Sequence, residues 1–159
     1  MAIQPYLAYT DGNCEAALHF YQSVLGGEVS FMMRFGDSPM AGEFDTEWHD
    51  KIMHATYTFD GQQMMACDRP PNMPGPTGFC GFSLSVAYND IARGEAVFKA
   101  LGEGGQVTMP FAPTFWAKGF GMLVVLKFDL YYVKNHSFMF DLLTLLQTVE
   151  VVVFGKGAR

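Results

Sequence analysis

Two stretches of this chain end in the same way. Gly12 to Val29 reads GNCEAALHFYQSVLGGEV, and Glu95 to Val107 reads EAVFKALGEGGQV. At an offset of 78 residues Phe20 meets Phe98, the pair Gly26 and Gly27 meets Gly104 and Gly105, and Val29 meets Val107. A helical pattern closed twice by Gly-Gly, a polar residue and Val means that one structural unit is used twice. Any fold for the chain has to accommodate two such units in series.

The first copy can be read through to its end. Ile3 to Thr10 has strand character, with Pro5 tolerated near an edge or a strand start. Asn13 is placed to cap a helix. Ala17, Phe20, Tyr21 and Val24 recur at helical spacing, and a glycine then supplies the left-handed stop. Val29 to Phe35 reads as a second strand. Lys51 to Phe59 alternates, with Met53, Ala55, Tyr57 and Phe59 on one face and Ile52, His54, Thr56 and Thr58 on the other. Asp60-Gly61 is a hairpin turn, and Gln62 to Asp68 is the return strand.

The second copy starts with a strand over Gly81 to Tyr88. Asn89 or Asp90 caps a helix over Ile91 to Leu101, and Gln106 to Phe111 begins the next strand. Each copy is therefore βαβββ, and the fold class is α+β, with mixed curved sheets and helices outside. The expected organisation is a first module over 1–69, a Pro/Gly-rich linker over 70–78, a second module over 79–136 with atypical last strands, and a hydrophobic tail over 137–159.

Composition narrows the function classes. Half of the 159 residues are hydrophobic and 16% are charged, enough to build a core and too apolar for disorder. The net charge of −6 excludes nucleic acid, whose phosphates need a basic surface. The three cysteines, Cys14, Cys67 and Cys80, have no metal-like spacing and read as reduced thiols. The N-terminus lacks the basic and apolar regions of a signal peptide, so a cytoplasmic location is expected. No uncharged apolar run is long enough to span a membrane.

The pieces PYLAY, GNCEAALHFYQSVLGGEV, MMRFGDSPM, DKIMHATYTFDGQQMMACD, GFSLSV, GGQVTMP and FWAKGFGML, in this order, resemble the PhnB-like group of the vicinal oxygen chelate superfamily. That superfamily includes glyoxalase I and the bleomycin- and fosfomycin-resistance proteins. The resemblance runs from about Pro5 to Leu123 and implies a glyoxalase/bleomycin-resistance-like fold and a homodimer. PhnB-like proteins are often labelled 3-demethylubiquinone methyltransferases. The residues argue against methyl transfer, because a Rossmann-type cofactor site has its Gly-rich turn before a helix, and here the Gly-Gly pairs come after one.

The resemblance also implies where a divalent metal would sit, on His, Gln or Glu from four strands. The corresponding positions fall near Gln4, Ala66, Gly81 and the segment Asp129 to Asn135. Gln4 is a weak donor, Ala66 and Gly81 offer none, and Asp129 to Asn135 shows no well-placed Glu, so no metal cofactor is expected. His54 is the best polar candidate, as a ligand-binding or acid–base residue or as a half-buried histidine bonded to a neighbouring strand or loop. Arg34 pairs with an anionic ligand or with the acidic loop Asp37 to Asp50. Phe115 and Trp116 wall a pocket or pack in a core, and Tyr6 is similar. The eleven methionines suggest a soft core or pocket wall. Cys67 has no sequence neighbour that would activate it.

From Leu123 the text departs from the family. No Gly or Pro occurs between Met122 and Phe154 to mark a hairpin. Either a reading-frame change near codon 124 or natural divergence with an extension accounts for it. Phe138, Leu142, Leu145, Leu146 and Val149 would form one helical face, and Val151 to Phe154 has strand character. Two functions follow from the resemblance: a protein that binds a small organic molecule in a metal-free cup, with His54, Arg34, Trp116, Tyr6 and Gln4 as the ligand-binding residues, or a metal-dependent lyase, isomerase or dioxygenase.

Overall fold

In the computed structural model the described residues are 4–10, 12–73, 82–125 and 148–153. The chain divides into two compact units, Met1–Thr77 and Gly78–Arg159. The first contains β1 (Tyr6–Tyr9), α1 (Cys14–Leu25), β2 (Glu28–Arg34), three 3₁₀ turns between Phe35 and Trp48, β3 (Ile52–Phe59) and β4 (Gln62–Asp68). The sheet order is β1-β4-β3-β2, with β1 parallel to β4 and the other neighbours antiparallel. The β3–β4 hairpin turns at Asp60 (φ 47°) and Gly61 (φ 73°), two left-handed residues that match the twist of the flanking strands.

Alternation along the strands gives this sheet two unlike faces. Leu7, Tyr9, Ala55, Tyr57, Ala66 and Asp68 are buried, and α1 packs against β2, β3 and β4. The helix buries Cys14, Ala17, Leu18 and Tyr21, at i, i+3, i+4 and i+7. Phe20 and Val24, expected in that stripe, are only half-buried. The bond from the Cys14 N–H to Asp68 Oδ1 holds that end of the helix against the sheet.

Side chains of the sheet hold α1 at both ends. Asn13 makes no side-chain capping bond, contrary to the expectation from sequence. The Asp68 carboxylate caps the helix from β4: Oδ1 accepts from the Cys14 N–H at 2.8 Å, and Oδ2 accepts from the Ile52 N–H at 2.8 Å. At the other end the Tyr57 hydroxyl donates to the Gly26 carbonyl. These bonds satisfy groups that a helix leaves without intrahelical partners.

Ile52 is a second correction. It was expected to share a face with His54, yet it is fully buried. The register passes from Met33↔His54 to Arg34↔Ile52 and skips Met53. This irregularity turns Ile52 inward.

The repeated Gly-Gly has a steric cause. Gly27 has φ +77°, and a Cβ there would overlap the Thr58 carbonyl. A Cβ on Gly105 would overlap the Val124 carbonyl in the same way. In each unit the chain leaving the helix passes against the end of a strand, with no room for a side chain.

The second unit contains β5 (Ser83–Tyr88), α2 (Ile91–Leu101), β6 (Gln106–Ala112), β7 (Gly119–Val124) and β8 (Thr148–Val153). Its order, β5-β8-β7-β6, repeats the first sheet with the same strand senses. Asp90 caps α2, accepting from the N–H groups of Ala92 and Arg93 at 2.9 and 3.4 Å. Phe98 packs on Phe111 at 5.6 Å between ring centroids, and Gly121 lies beneath the Phe98 ring.

The strand closing this sheet comes from within the segment read as a tail. Val149, expected on a helical face, lies in β8 and pairs with Leu84 and Leu123. Asp129 to Asn135, and Phe138 to Leu146 with the rest of that helical face, lie outside the described residues.

Two predictions follow from these contacts. Gly27→Ala and Gly105→Ala should each destabilise the protein by more than about 1 kcal/mol in urea unfolding, through forced backbone displacement. Asp68→Asn should cost about 1–3 kcal/mol, because an amide NH₂ would face one of the two N–H donors.

The pH dependence has a definite sign. Burial lifts the Asp68 carboxyl above its ordinary 3.8, opposed by the two N–H bonds and Lys51. The folded chain then keeps a proton that the unfolded chain has released. The contribution of Asp68 to stability falls as pH rises from about 4 through its folded-state value and is level above it. The stability difference between wild type and Asp68→Asn should therefore shrink as pH is raised through that window.

Candidate functional site

The face of the first sheet opposite α1 carries three cross-strand rows. Phe31, Thr56, Met65 and Tyr6 are paired in register across all four strands. Beside them Met33 pairs with His54, and Cys67 pairs with Ala8. On the other side Thr58 pairs with Gln63, whose Oε1 accepts from Gln4 Nε2 at 2.8 Å. Ser30 Oγ and Thr58 Oγ1 share a hydrogen bond of 3.0 Å at the bulge in β2.

Three rings meet at the middle of this face. The His54 and Tyr6 centroids are 5.7 Å apart, and those of His54 and Phe31 are 5.9 Å apart. Tyr6 and Phe31 are each 48% exposed, much more than aromatics packed in a core. The Tyr6 hydroxyl lies 3.1 Å from His54 Nδ1. Desolvation pushes the Tyr6 hydroxyl pKa well above its ordinary value, with a further push from neighbouring Cys67. Burial likewise raises the Cys67 thiol, opposed by its hydrogen bond with Tyr6. The group is thus a neutral thiol, a neutral phenol and an imidazole, side by side and partly open to solvent.

The expected site residues do not all gather here. Tyr6, His54 and Gln4 share the face. Arg34 instead donates to Glu15 Oε1 on α1 at 2.7 Å and to the Asp50 carbonyl. Its place at the end of β2, beyond the irregularity at Met33, aims it at the helix and the acidic loop. Trp116 belongs to the second unit. It sits with Phe115 on a turn closed by the Thr114 N–H and the Ala117 carbonyl at 2.9 Å, and its ring lies 5.7 Å from Phe120. Sequence reasoning missed Phe31 and Met65, and it saw Cys67 only as an unactivated thiol. The alternation of QQMMACD carried the signal for Met65 and Cys67, whereas the bulge in β2 hid Phe31.

Among the described residues, the donors do not make the divalent metal set that the resemblance implies. Gln4 donates through Nε2 to Gln63 and keeps its amide oxygen, but Ala66 is fully buried and has no donor atom. Among the described residues, no three His, Cys, Asp or Glu side chains converge. The other two expected positions, Gly81 and Asp129 to Asn135, lie outside the described residues. The observed last strand does carry Glu150, at a position paired with Ser85 and Met122.

Two further histidines have other surroundings. His49 Nε2 lies 3.1 and 3.2 Å from the carbonyls of Ala41 and Phe44 and ties the 3₁₀ turns together. His19 is exposed beside Glu15. In the second unit an open groove of about 850 Å³ runs between α2 and β6, past Phe98, Lys99, Val107 and Phe111. Among the described residues, no helix is long and apolar enough to cross a membrane.

Comparison with known proteins gives concordant matches. Residues 3–135 match the Glyoxalase/Bleomycin resistance protein/Dioxygenase superfamily. Protein YjdN of Escherichia coli (strain K12) is 32% identical over 129 residues, covering 76% of this chain and 86% of that protein. The crystal structure of protein PA1353 from Pseudomonas aeruginosa is 33% identical with a TM-score of 0.72, over 97% of this chain and 99% of that one. A PhnB protein from Bacillus cereus is 22% identical with a TM-score of 0.66, over 96% and 99%, and speaks for the fold alone.

Arg34→Gln tests the division of labour between the two faces. Its ion pair with Glu15 is partly exposed, so the substitution should lower stability by at most about 1 kcal/mol in urea unfolding. It should leave the environment of His54, read by NMR, unchanged.

Proposed function

This chain belongs to the glyoxalase/bleomycin resistance protein/dioxygenase superfamily, and we propose that it binds a small organic molecule on the open face of its first sheet. One observation carries the reading: Tyr6 and Phe31, both half-exposed, flank His54 on a face where Met33 and Met65 add soft apolar surface. Covering two such rings removes apolar area from water, worth about 25 cal/mol per Å². A few polar groups among apolar ones is the usual make-up of a small-molecule site.

Binding without chemistry needs no more than these residues. The imidazole and phenol orient a polar group of the ligand, and the rings and thioethers hold its body. The other reading, a metal-dependent lyase, isomerase or dioxygenase, asks for a donor at Ala66, where the first sheet supplies none. The fold serves both functions, so the site has to decide between them. The resemblance to a commonly dimeric family supports a homodimer, which light scattering would detect as twice the chain mass.

A panel of planar aromatic compounds, screened by thermal shift, tests the reading. A ligand at a hundred times its Kd should stabilise the protein by about 2.7 kcal/mol. Phe31→Ala and His54→Ala should each weaken that ligand about tenfold or more and remain folded by circular dichroism. A panel without a stabilising compound, or variants that bind as well as wild type, would refute it.

A further inference from the structure

We infer that the open face of the first sheet selects an organic cation, an aromatic ring carrying an ammonium group, with the ring on Tyr6 and Phe31 and the ammonium at Glu28. This deepens the small-molecule reading and rests on it.

The bulge in β2 makes the arrangement. Glu28 pairs with Thr58 and Phe31 pairs with Thr56, and Ser30 is the extra residue between them. In a regular strand, residues three positions apart point to opposite faces. The extra residue brings Glu28 back to the face that carries Phe31. Thr56 and Thr58 both stand on the open side, and residues opposed across a sheet share a face. Glu28 is exposed, and among the described residues no side chain bonds to its carboxylate. Successive rows on one face of a sheet lie about 7 Å apart along the strand. The carboxylate therefore borders the row of Phe31 and Tyr6, at a spacing that an arylethylammonium spans. Thr58, Gln63 and Ser30 add neutral oxygens at the same end.

Charge around the rings has one sign. Met1–Thr77 carries ten Asp and Glu against three Lys and Arg, a formal net charge of −7. Within its four strands the one Lys or Arg is Arg34, which is bonded to Glu15 and to the Asp50 carbonyl. Lys51 and Arg69 flank the ends of β3 and β4 that lie farthest from Glu28. Strand rise puts them roughly 20 Å along the sheet from it. A ligand ammonium is drawn to the half-exposed ring faces through their quadrupole and to Glu28 through its charge. An anion of the same shape meets Glu28 and the negative field of the unit. A neutral molecule keeps the ring contacts alone.

Three naphthalene probes test this on the full chain at about pH 8, where an ordinary imidazole such as that of His54 is neutral. They are 2-(2-naphthyl)ethylamine, a cation there, the neutral 2-(2-naphthyl)ethanol, and the anion 2-naphthylacetate. By titration calorimetry at low salt the amine should bind wild type roughly five- to tenfold tighter than the alcohol. The acetate should bind weakest, and high salt should narrow the spread by screening. Glu28→Gln should bring the amine-to-alcohol ratio toward one and leave the alcohol unchanged. Phe31→Ala should weaken both alike. Glu43→Gln, which removes the same charge from the acidic loop, should leave the ratio as in wild type. An amine bound no tighter than the alcohol, or a ratio that Glu28→Gln changes no more than Glu43→Gln does, would overturn the selectivity and leave the small-molecule reading standing. Binding of none of the three probes would count against both.

Discussion

The first unit depends on the clamp that its sheet places on α1. Asp68 from β4 holds the helix N-terminus and the start of β3 with one carboxylate, and Tyr57 from β3 takes a carbonyl at the C-terminus. A helix so fixed covers one face of the sheet and leaves the other free. Strand alternation then sends every second residue to that open face, which is how Tyr6, His54, Phe31 and Cys67 come together. The cost of the clamp is a buried carboxyl whose charged form is disfavoured, repaid in part by two short N–H bonds.

The two units share a topology but not this device. The second caps its helix locally, through Asp90, and its last strand ends in Val153 where β4 ends in Asp68. What both retain is the glycine at the helix exit. Gly27 and Gly105 are required by the same close approach of a strand carbonyl. The repeat is therefore conserved between the halves at the point of tightest sterics, and it relaxes where another residue can do the job.

Most of the architecture was legible because it is local. The helix Ile91–Leu101 and the strand Gln62–Asp68 match their expected bounds, and the Asp60-Gly61 turn was recognisable from two residues. The readings that needed correction fail for nonlocal reasons. Asn13 looked like the cap until Asp68, 54 positions beyond Cys14, took that role. Ile52 looked like a partner of His54 until the register skipped Met53. Arg34 was open to a ligand or to the acidic loop, and the bond to Asp50 in that loop is joined by one to Glu15, which the chain order did not suggest. The closing strand of the second unit lacked turn signals, and its place was set by pairing with β5 and β7.

By itself, the sequence determined the α+β class, the two βαβββ units, the glycine-terminated helices and the face on which His54 lies. Side-chain period and turn chemistry act over a few residues, so they can be read from neighbours along the chain. The tertiary structure alone decided that Tyr6 and Phe31 flank His54, that Arg34 turns to the helix, and that Asp68 joins three elements. Those outcomes depend on strand register and on two bulges, where a shift of one residue exchanges one face of a sheet for the other.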